Sequence, residues 1–257
     1  LIIHSVFVSY GQMQKLLFER ISMDEGLSQV SVNAIYQDTT GFLWFGTQDG
    51  LNCYDGYNFK IYKPIRQDSL SISSNNITAI FQDSYGKIWI GTVGGGLNLF
   101  DPLTETFQHY MHDESDPTSI GNDDVYTVFE DSDGDLWIGT YGGGLNLFDR
   151  TTETFTVYMH DSNDPFSIEA NNVRAINQDK DGYIWVGLNS TSVEHVLNKF
   201  DKKTQKFIPV NSTKNDVMAI YKDTHGMFWV GTYYGGIDIL NPKTGALYPV
   251  DFDHILQ

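Results

Sequence analysis

The chain is poor in cysteine, in positive charge and in long apolar runs. Its one cysteine, Cys53, excludes an intrachain disulfide and a cysteine-built metal cluster, and is compatible with either redox compartment. Lys and Arg number 16 against 33 Asp and Glu, a formal charge of −17. That balance argues against nucleic acid as a partner, since phosphates call for a basic surface, and against electrostatic contact with anionic lipid. No apolar stretch reaches the ~18 residues that a membrane helix needs. Runs of helix-favouring residues are scarce. The length, 257 residues, allows one large domain or two small ones. The first residues, LIIHSVFVSYGQ, open on Leu1 and are largely apolar, and Ser9-x-Gly11 suits signal-peptidase cleavage before Gln12. Residues 1–11 are therefore expected to be a signal-peptide remnant, a ragged N-terminal strand being the alternative.

What the chain does have is 24 glycines, 14% aromatic residues and a repeat. Trp44, Trp89, Trp137, Trp185 and Trp229 stand 45, 48, 48 and 44 residues apart. Six positions before each lies an aspartate: Asp38, Asp83, Asp131, Asp179 and Asp223. Three before each is a glycine, and two after each is another. Every tryptophan of the chain falls in this one slot. Each unit reads as four strands, as in Val125–Phe129, Leu136–Ile138, Leu145–Phe148 and Phe155–Tyr158. The D-x-x-G segment turns the chain, with Asp bonding local backbone and Gly supplying positive φ.

Strands one and two of each unit are apolar on both faces, which predicts sheets stacked face to face rather than half exposed. A four-stranded unit of this length cannot bury two faces alone, whereas radial stacking does so. The expected fold is therefore all-β: a β-propeller of five four-stranded antiparallel blades at about 30–63, 76–111, 124–159, 172–210 and 216–251, within a propeller domain 12–257. The tryptophans are expected to wedge between blades.

The unit D-x-x-G-x-[IL]-W-[IV]-G-T-x-x-G-G-L-N-L-F-D, clearest in Asp83–Asp101 and Asp131–Asp149, resembles the two-component regulator propeller repeat. The lead-in from Phe18 to Gln29 is similar to the segment that opens such sensors. The resemblance implies the extracytoplasmic, periplasmic sensor region of a membrane histidine kinase or diguanylate cyclase, and in many relatives the signal is a polysaccharide fragment. It implies an oligosaccharide or other small periplasmic ligand as partner, leaves room for a homodimer through the full-length sensor, and calls for no catalysis in this region and no cofactor. It also implies a larger ring of about seven blades. A strand count agrees with that: Phe18–Ile21, within 17–22, fits the pattern of a fourth strand, yet the fifth unit already carries its own at Leu247–Val250. Further strands after Gln257 would resolve the surplus, the rival being a closed five-bladed ring.

If the first strand is innermost, the second-to-third turns share a face with the connections between units. That face collects the variable segments and is the expected ligand surface, with Gln48, Asp49, Tyr141, Glu194, His195, Tyr233 and Tyr234 as candidate contacts. In the fourth unit Leu188–Val196 replaces the G-T-x-x-G-G turn. A metal site is not expected. His112-Asp113 through Asp116-Pro117 and His160-Asp161 through Asp164-Pro165 mix imidazole with carboxylates, but read equally as turn chemistry on separate blades. Asp131, Asp133 and Asp135 imitate the start of a calcium loop that lacks its closing glutamate, since Gly142 stands there. Glycines 94–96 and 142–144 are not a phosphate loop, having no following Lys-Ser/Thr and no helix. Cys53 takes a core slot. The rival classes are a protein-interaction propeller and a propeller glycosidase. The latter needs an arginine cluster, whereas Arg20, Arg66, Arg150 and Arg174 are dispersed.

Overall fold

The computed structural model describes residues 20–190, 192–193, 195–210 and 215–251. Five four-stranded antiparallel sheets form, each with its strands in sequence order. Blade one comprises Val32–Gln37, Leu43–Thr47, Gly50–Tyr54 and Phe59–Tyr62. Blade two comprises Ile77–Gln82, Ile88–Thr92, Leu97–Asp101 and Thr106–Tyr110, and blade three Val125–Glu130, Leu136–Thr140, Leu145–Asp149 and Thr154–Tyr158. Blade four runs through Val173–Gln178, Ile184–Leu188, Leu197–Asp201 and Lys206–Val210, and blade five through Val217–Lys222, Phe228–Thr232, Gly236–Asn241 and Ala246–Pro249. Successive first strands pack on one another, so they line the axis of a propeller. The D-x-x-G turns then fall on one face, and the second-to-third turns and interblade connections on the other.

The repeated aspartate does two things. In blade two, Oδ1 of Asp83 accepts the backbone N–H of Tyr85 and Lys87 at 3.0 and 2.9 Å, closing the turn. Its Oδ2 accepts the indole N–H of Trp89 at 2.8 Å. Trp44, Trp137 and Trp185 donate to Asp38, Asp131 and Asp179 in the same way at 2.8, 3.0 and 2.8 Å. Fixed at one edge, each ring lies against the following blade: Trp44 on Phe100, Trp89 on Phe148, Trp137 on Phe200 and Trp185 on Phe228, with centroids 5.2–5.6 Å apart. Burying such a ring removes roughly 150–250 Å² from water, an upper estimate of about 4–6 kcal/mol. These four are buried as expected. Trp229 is the exception and is only half-buried, because among the described residues no blade packs over it.

The glycine two residues after each tryptophan has a packing reason. A Cβ on Gly139 would stand 2.5 Å from Val173 Cγ1, and one on Gly91 2.8 Å from Val125 Cγ1. The bare backbone is the seat of the next blade's first β-branched residue. Gly144 is needed for a different reason: φ is +69°, and a Cβ would lie 2.1 Å from the Tyr158 carbonyl oxygen. Third-strand asparagines pin the incoming connections, Asn98 Oδ1 accepting from Ser73 N and Asn146 Oδ1 from Gly121 N at 3.0 and 2.8 Å. Residues 1–11, expected as a signal-peptide remnant, and residues 17–19 of the expected extra outer strand lie outside the described residues, while Arg20–Ser22 form no strand and lead into the 3-10 turn Met23–Glu25.

Candidate functional site

The turns of the connection face are held as a frame. In blades two to five the second-to-third turn is bonded to the connection that precedes that blade's own first strand. Val93 N donates to Asn76 O at 3.0 Å, Tyr141 N to Asp124 O at 2.9 Å, Asn189 N to Asn172 O at 2.9 Å and Tyr233 N to Asp216 O at 3.0 Å. Side chains add to it: Asp124 accepts from Gly94 N at 2.7 Å and Asp216 from Ser190 N at 2.8 Å. Loops tied to a rigid scaffold in this way present side chains at fixed positions.

At the centre of this frame is a depression of ≈ 390 Å³ on the axis. The second residue of every first strand faces it: Asn33, Thr78, Tyr126, Arg174 and Met218. Gln48, Asn76 and Val93 complete the wall. Asn33 Nδ2 donates to Ile77 O at 2.8 Å and to Asn76 Oδ1 at 3.3 Å. The Arg174 guanidinium lies 3.6 Å from the centroid of the Tyr126 ring. Tyr126 in turn meets Tyr141 edge to face, at 6.0 Å and 65°. No carboxylate pairs with Arg174 among the described residues, and its Nε is buried without a hydrogen-bond partner. The depression thus offers a cation held by an aromatic ring, amides, a hydroxyl and a thioether. Such a set can hold a polar ligand by its oxygens while an aromatic face covers its apolar side.

The structure joins some of the residues expected from the sequence and separates others. Gln48 lines the depression, and Tyr141, exposed, reaches it through Tyr126. Asp49 turns away to Lys63 Nζ at 2.6 Å. Tyr233 and Tyr234 are exposed and in edge contact at 4.3 Å, where hydrogen bonding with Tyr233 pushes the Tyr234 phenol above its ordinary value. Neither is among the residues that line the depression. His195 is half-buried with Nδ1 unpartnered, and Glu194 lies outside the described residues. Sequence reasoning missed Asn33, Thr78, Tyr126, Arg174 and Met218. Their signal was a polar or bulky residue, different in every blade, in one slot of otherwise apolar strands.

On the opposite face the acidic cluster that imitates a calcium loop is already occupied by a side-chain cation. Carboxylate oxygens of Asp131, Asp133 and Asp135 do gather within 4.8 Å of one another. The Lys202 ammonium already sits among them, at 2.6, 2.8 and 2.6 Å. His112 and His160 use Nδ1 on the carbonyl oxygens of Ile120 and Ile168, both at 2.8 Å, which makes them fasteners of their connections. The Cys53 thiol is pushed up to about 11 by burial, and further by Asp38 and Asp55, so it is a weak nucleophile at neutral pH.

Five copies of one blade motif around a common axis place the chain among the repeat propellers. The family model for the two component regulator propeller matches residues 26–49, 71–94, 119–142, 167–190 and 211–234, one match for each blade. The chain is built from two component regulator propeller repeats. A solved relative is the extracellular domain of a protein described as a hybrid two component system, BT3049 from B. thetaiotaomicron. It is 31% identical with a TM-score of 0.79, over 89% of this chain and 31% of that one. The curated histidine kinase P4 of Formosa agariphila is 49% identical over 63 residues, 24% of this chain and 5% of its own length. The chain therefore spans less than a third of either. Virginiamycin B lyase from Staphylococcus aureus shares the fold at 14% identity and a TM-score of 0.62, over 84% of this chain and 69% of that one. Among the described residues no helix is long and apolar enough to cross a membrane.

Proposed function

We propose that this propeller is the periplasmic ligand-sensing module of a two-component signalling protein, that it is not itself catalytic, and that it takes a short oligosaccharide in the axial depression. The observation that carries the reading is the convergence of one side chain from every blade on that depression, with Arg174 stacked on Tyr126 and, among the described residues, without a carboxylate partner. A sugar presents hydroxyls and ring C–H groups together. Asn33, Gln48, Thr78 and the Arg174 guanidinium suit the former, and the Tyr126 and Tyr141 rings the latter. The sensor role draws support from the relatives, whose descriptions name two-component systems and a histidine kinase. The lyase likeness concerns the fold alone.

Titration calorimetry against a panel of oligosaccharides tests this. The expected result is a saturable ligand that is recovered uncleaved, with affinity roughly tenfold weaker in Tyr141→Ala and in Arg174→Met. Tyr141 is exposed, so the melting temperature of its variant should be nearly that of the parent. Undiminished affinity in both variants would move the site elsewhere. Cleavage of the sugar would make the chain an enzyme instead.

A further inference from the structure

On the D-x-x-G face, two blade junctions are closed by a cation supplied from the following blade. Arg150, the residue after the third strand of blade three, reaches Asp83 Oδ2 of blade two at 2.7 Å and Glu130 at 2.8 Å, and lies over the rings of Tyr85 and Trp89. Lys202, in the same place in blade four, reaches Asp131 Oδ2 of blade three at 2.6 Å. Both cations thus dock on the oxygen that also accepts the tryptophan indole. At the junction of blades four and five the corresponding residue is Pro242 and no cation pairs with Asp179 among the described residues, but Lys222 of blade five crosses the junction and donates to the adjoining Gln178 carbonyl at 2.8 Å.

The junction of blades one and two departs from this. The corresponding residue is Pro102, and among the described residues no cation pairs with Asp38. Asp38 Oδ2 still accepts the Trp44 indole at 2.8 Å. Beside it opens a cavity of ≈ 510 Å³ walled by Phe42, Trp44, Tyr62, Phe100 and Pro102. Its charged lining is Asp38, Asp55 and Glu105 against Lys60 alone, and Lys60 is already engaged by Glu105. Asp55 is taken up by the N–H groups of Tyr57 and Asn58 at 2.7 and 2.6 Å. Asp38 Oδ1 accepts from the N–H groups of Thr40 and Phe42 at 2.9 and 3.0 Å, and Asp38 Oδ2, beside the aromatic walls, is the oxygen on which its two siblings hold a guanidinium and an ammonium.

We infer that this cavity binds an organic cation, a guanidinium or primary ammonium on a short apolar carrier, docked on Asp38 as Arg150 docks on Asp83 and Lys202 on Asp131. The aromatic walls take the carrier and favour the cation, and the carboxylate fixes its head. The site lies on the face opposite the axial depression and does not depend on what that depression binds.

The five indole N–H resonances give a direct readout, because the Trp44 indole shares an acceptor oxygen with the bound head. Titration with n-butylguanidinium should shift the Trp44 indole saturably, with n-butylurea, its uncharged counterpart, binding roughly tenfold more weakly or worse. N-acetylarginine amide and glucosamine, run alongside, separate a peptide side chain from an amino sugar as the carrier. Pro102→Arg should abolish the response by supplying the cation from within the chain. Arg150→Ala should create a second response, at Trp89. An unresponsive Trp44, equal binding of the urea, or a Pro102→Arg variant that is folded and still binds would each overturn the proposal. Should Pro102→Arg fail to fold, the comparison of guanidinium with urea on the parent chain decides alone.

Discussion

The same motif stands in two different settings at the two ends of the blade series and inside it. Within the series, the rings of Trp89, Trp137 and Trp185 are 2%, 1% and 1% exposed, each covered by the next blade. On blade five, Trp229 is half-buried, its bond to Asp223 has lengthened to 3.3 Å, and its neighbour Tyr221 is 69% exposed. Blade one shows the complement: Ile35 is 65% exposed, whereas Ile80 in the same slot of blade two is 9% exposed. Among the described residues, the first strands of blades one and five make no contact comparable to those between successive blades. The energy of the motif therefore resides at the blade junctions. Asp, Trp and the second Gly build an interface with the following blade, and their contribution is realised only where a blade follows.

Truncation of the rings gives the sharpest test. Trp137→Ala should cost about 3–5 kcal/mol, the usual range for a large aromatic removed from a core. Trp229→Ala should cost about 1 kcal/mol, since most of the contacts it would lose are not made. Guanidinium denaturation of both variants measures the gap, and equal losses would break the comparison. A smaller effect of the same origin attends the glycines. Gly139→Ala places a methyl 2.5 Å from Val173 Cγ1, and overpacking of that kind costs about 1–3 kcal/mol. A Cβ on Gly231 would meet only Ala219 Cβ at 3.7 Å, an ordinary contact, so Gly231→Ala should change stability by less than about 0.5 kcal/mol. Thermal melts of the pair check this, and a large loss in the second would mean that blade five has a neighbour after all.

This setting also explains what could be read from the sequence. Aspartate, tryptophan and both glycines recur because the four junctions impose the same contacts, and blade five carries the same residues although no blade covers it among the described residues. The fold and the blade count follow from that. The bond from Asp to the indole six residues on was hidden, because an aspartate ahead of a glycine turn is already explained by local backbone bonding. The cations were hidden by distance, Arg150 and Asp83 being 67 residues apart and Lys202 and Asp131 71. The axial residues were hidden by their variety. Asn33, Thr78, Tyr126, Arg174 and Met218 share a position and no chemistry, so a search for repetition passes over them, while the turns drew attention by their length. Only Gln48 and Tyr141 lay where both signals overlap.

The ionic closure of a junction should contribute less than the buried rings do, and its dependence on pH distinguishes it from packing. Burial works to raise the carboxyl of Asp131, but hydrogen bonds from Lys202, the Trp137 indole and the backbone of Asp135 and Asp133 outweigh it and hold Asp131 below its ordinary value of 3.8. Partial burial likewise works against charge on Lys202, and the three carboxylates around it outweigh that and raise it above 10.5. A lowered acid contributes stability that is fully present above 3.8 and lost as pH falls through its folded value. A raised base contributes stability that is fully present below 10.5 and lost as pH rises through its folded value. Lys202→Met keeps most of the stem and removes the charge, and its cost should be about 1–2 kcal/mol on the plateau between these limits, because Asp133 and Asp135 are exposed and add little. The cost should shrink toward zero at both extremes of pH. Urea denaturation of parent and variant across the range measures it, and a cost that stays constant from acid to base would assign the role of Lys202 to its methylenes rather than to its charge.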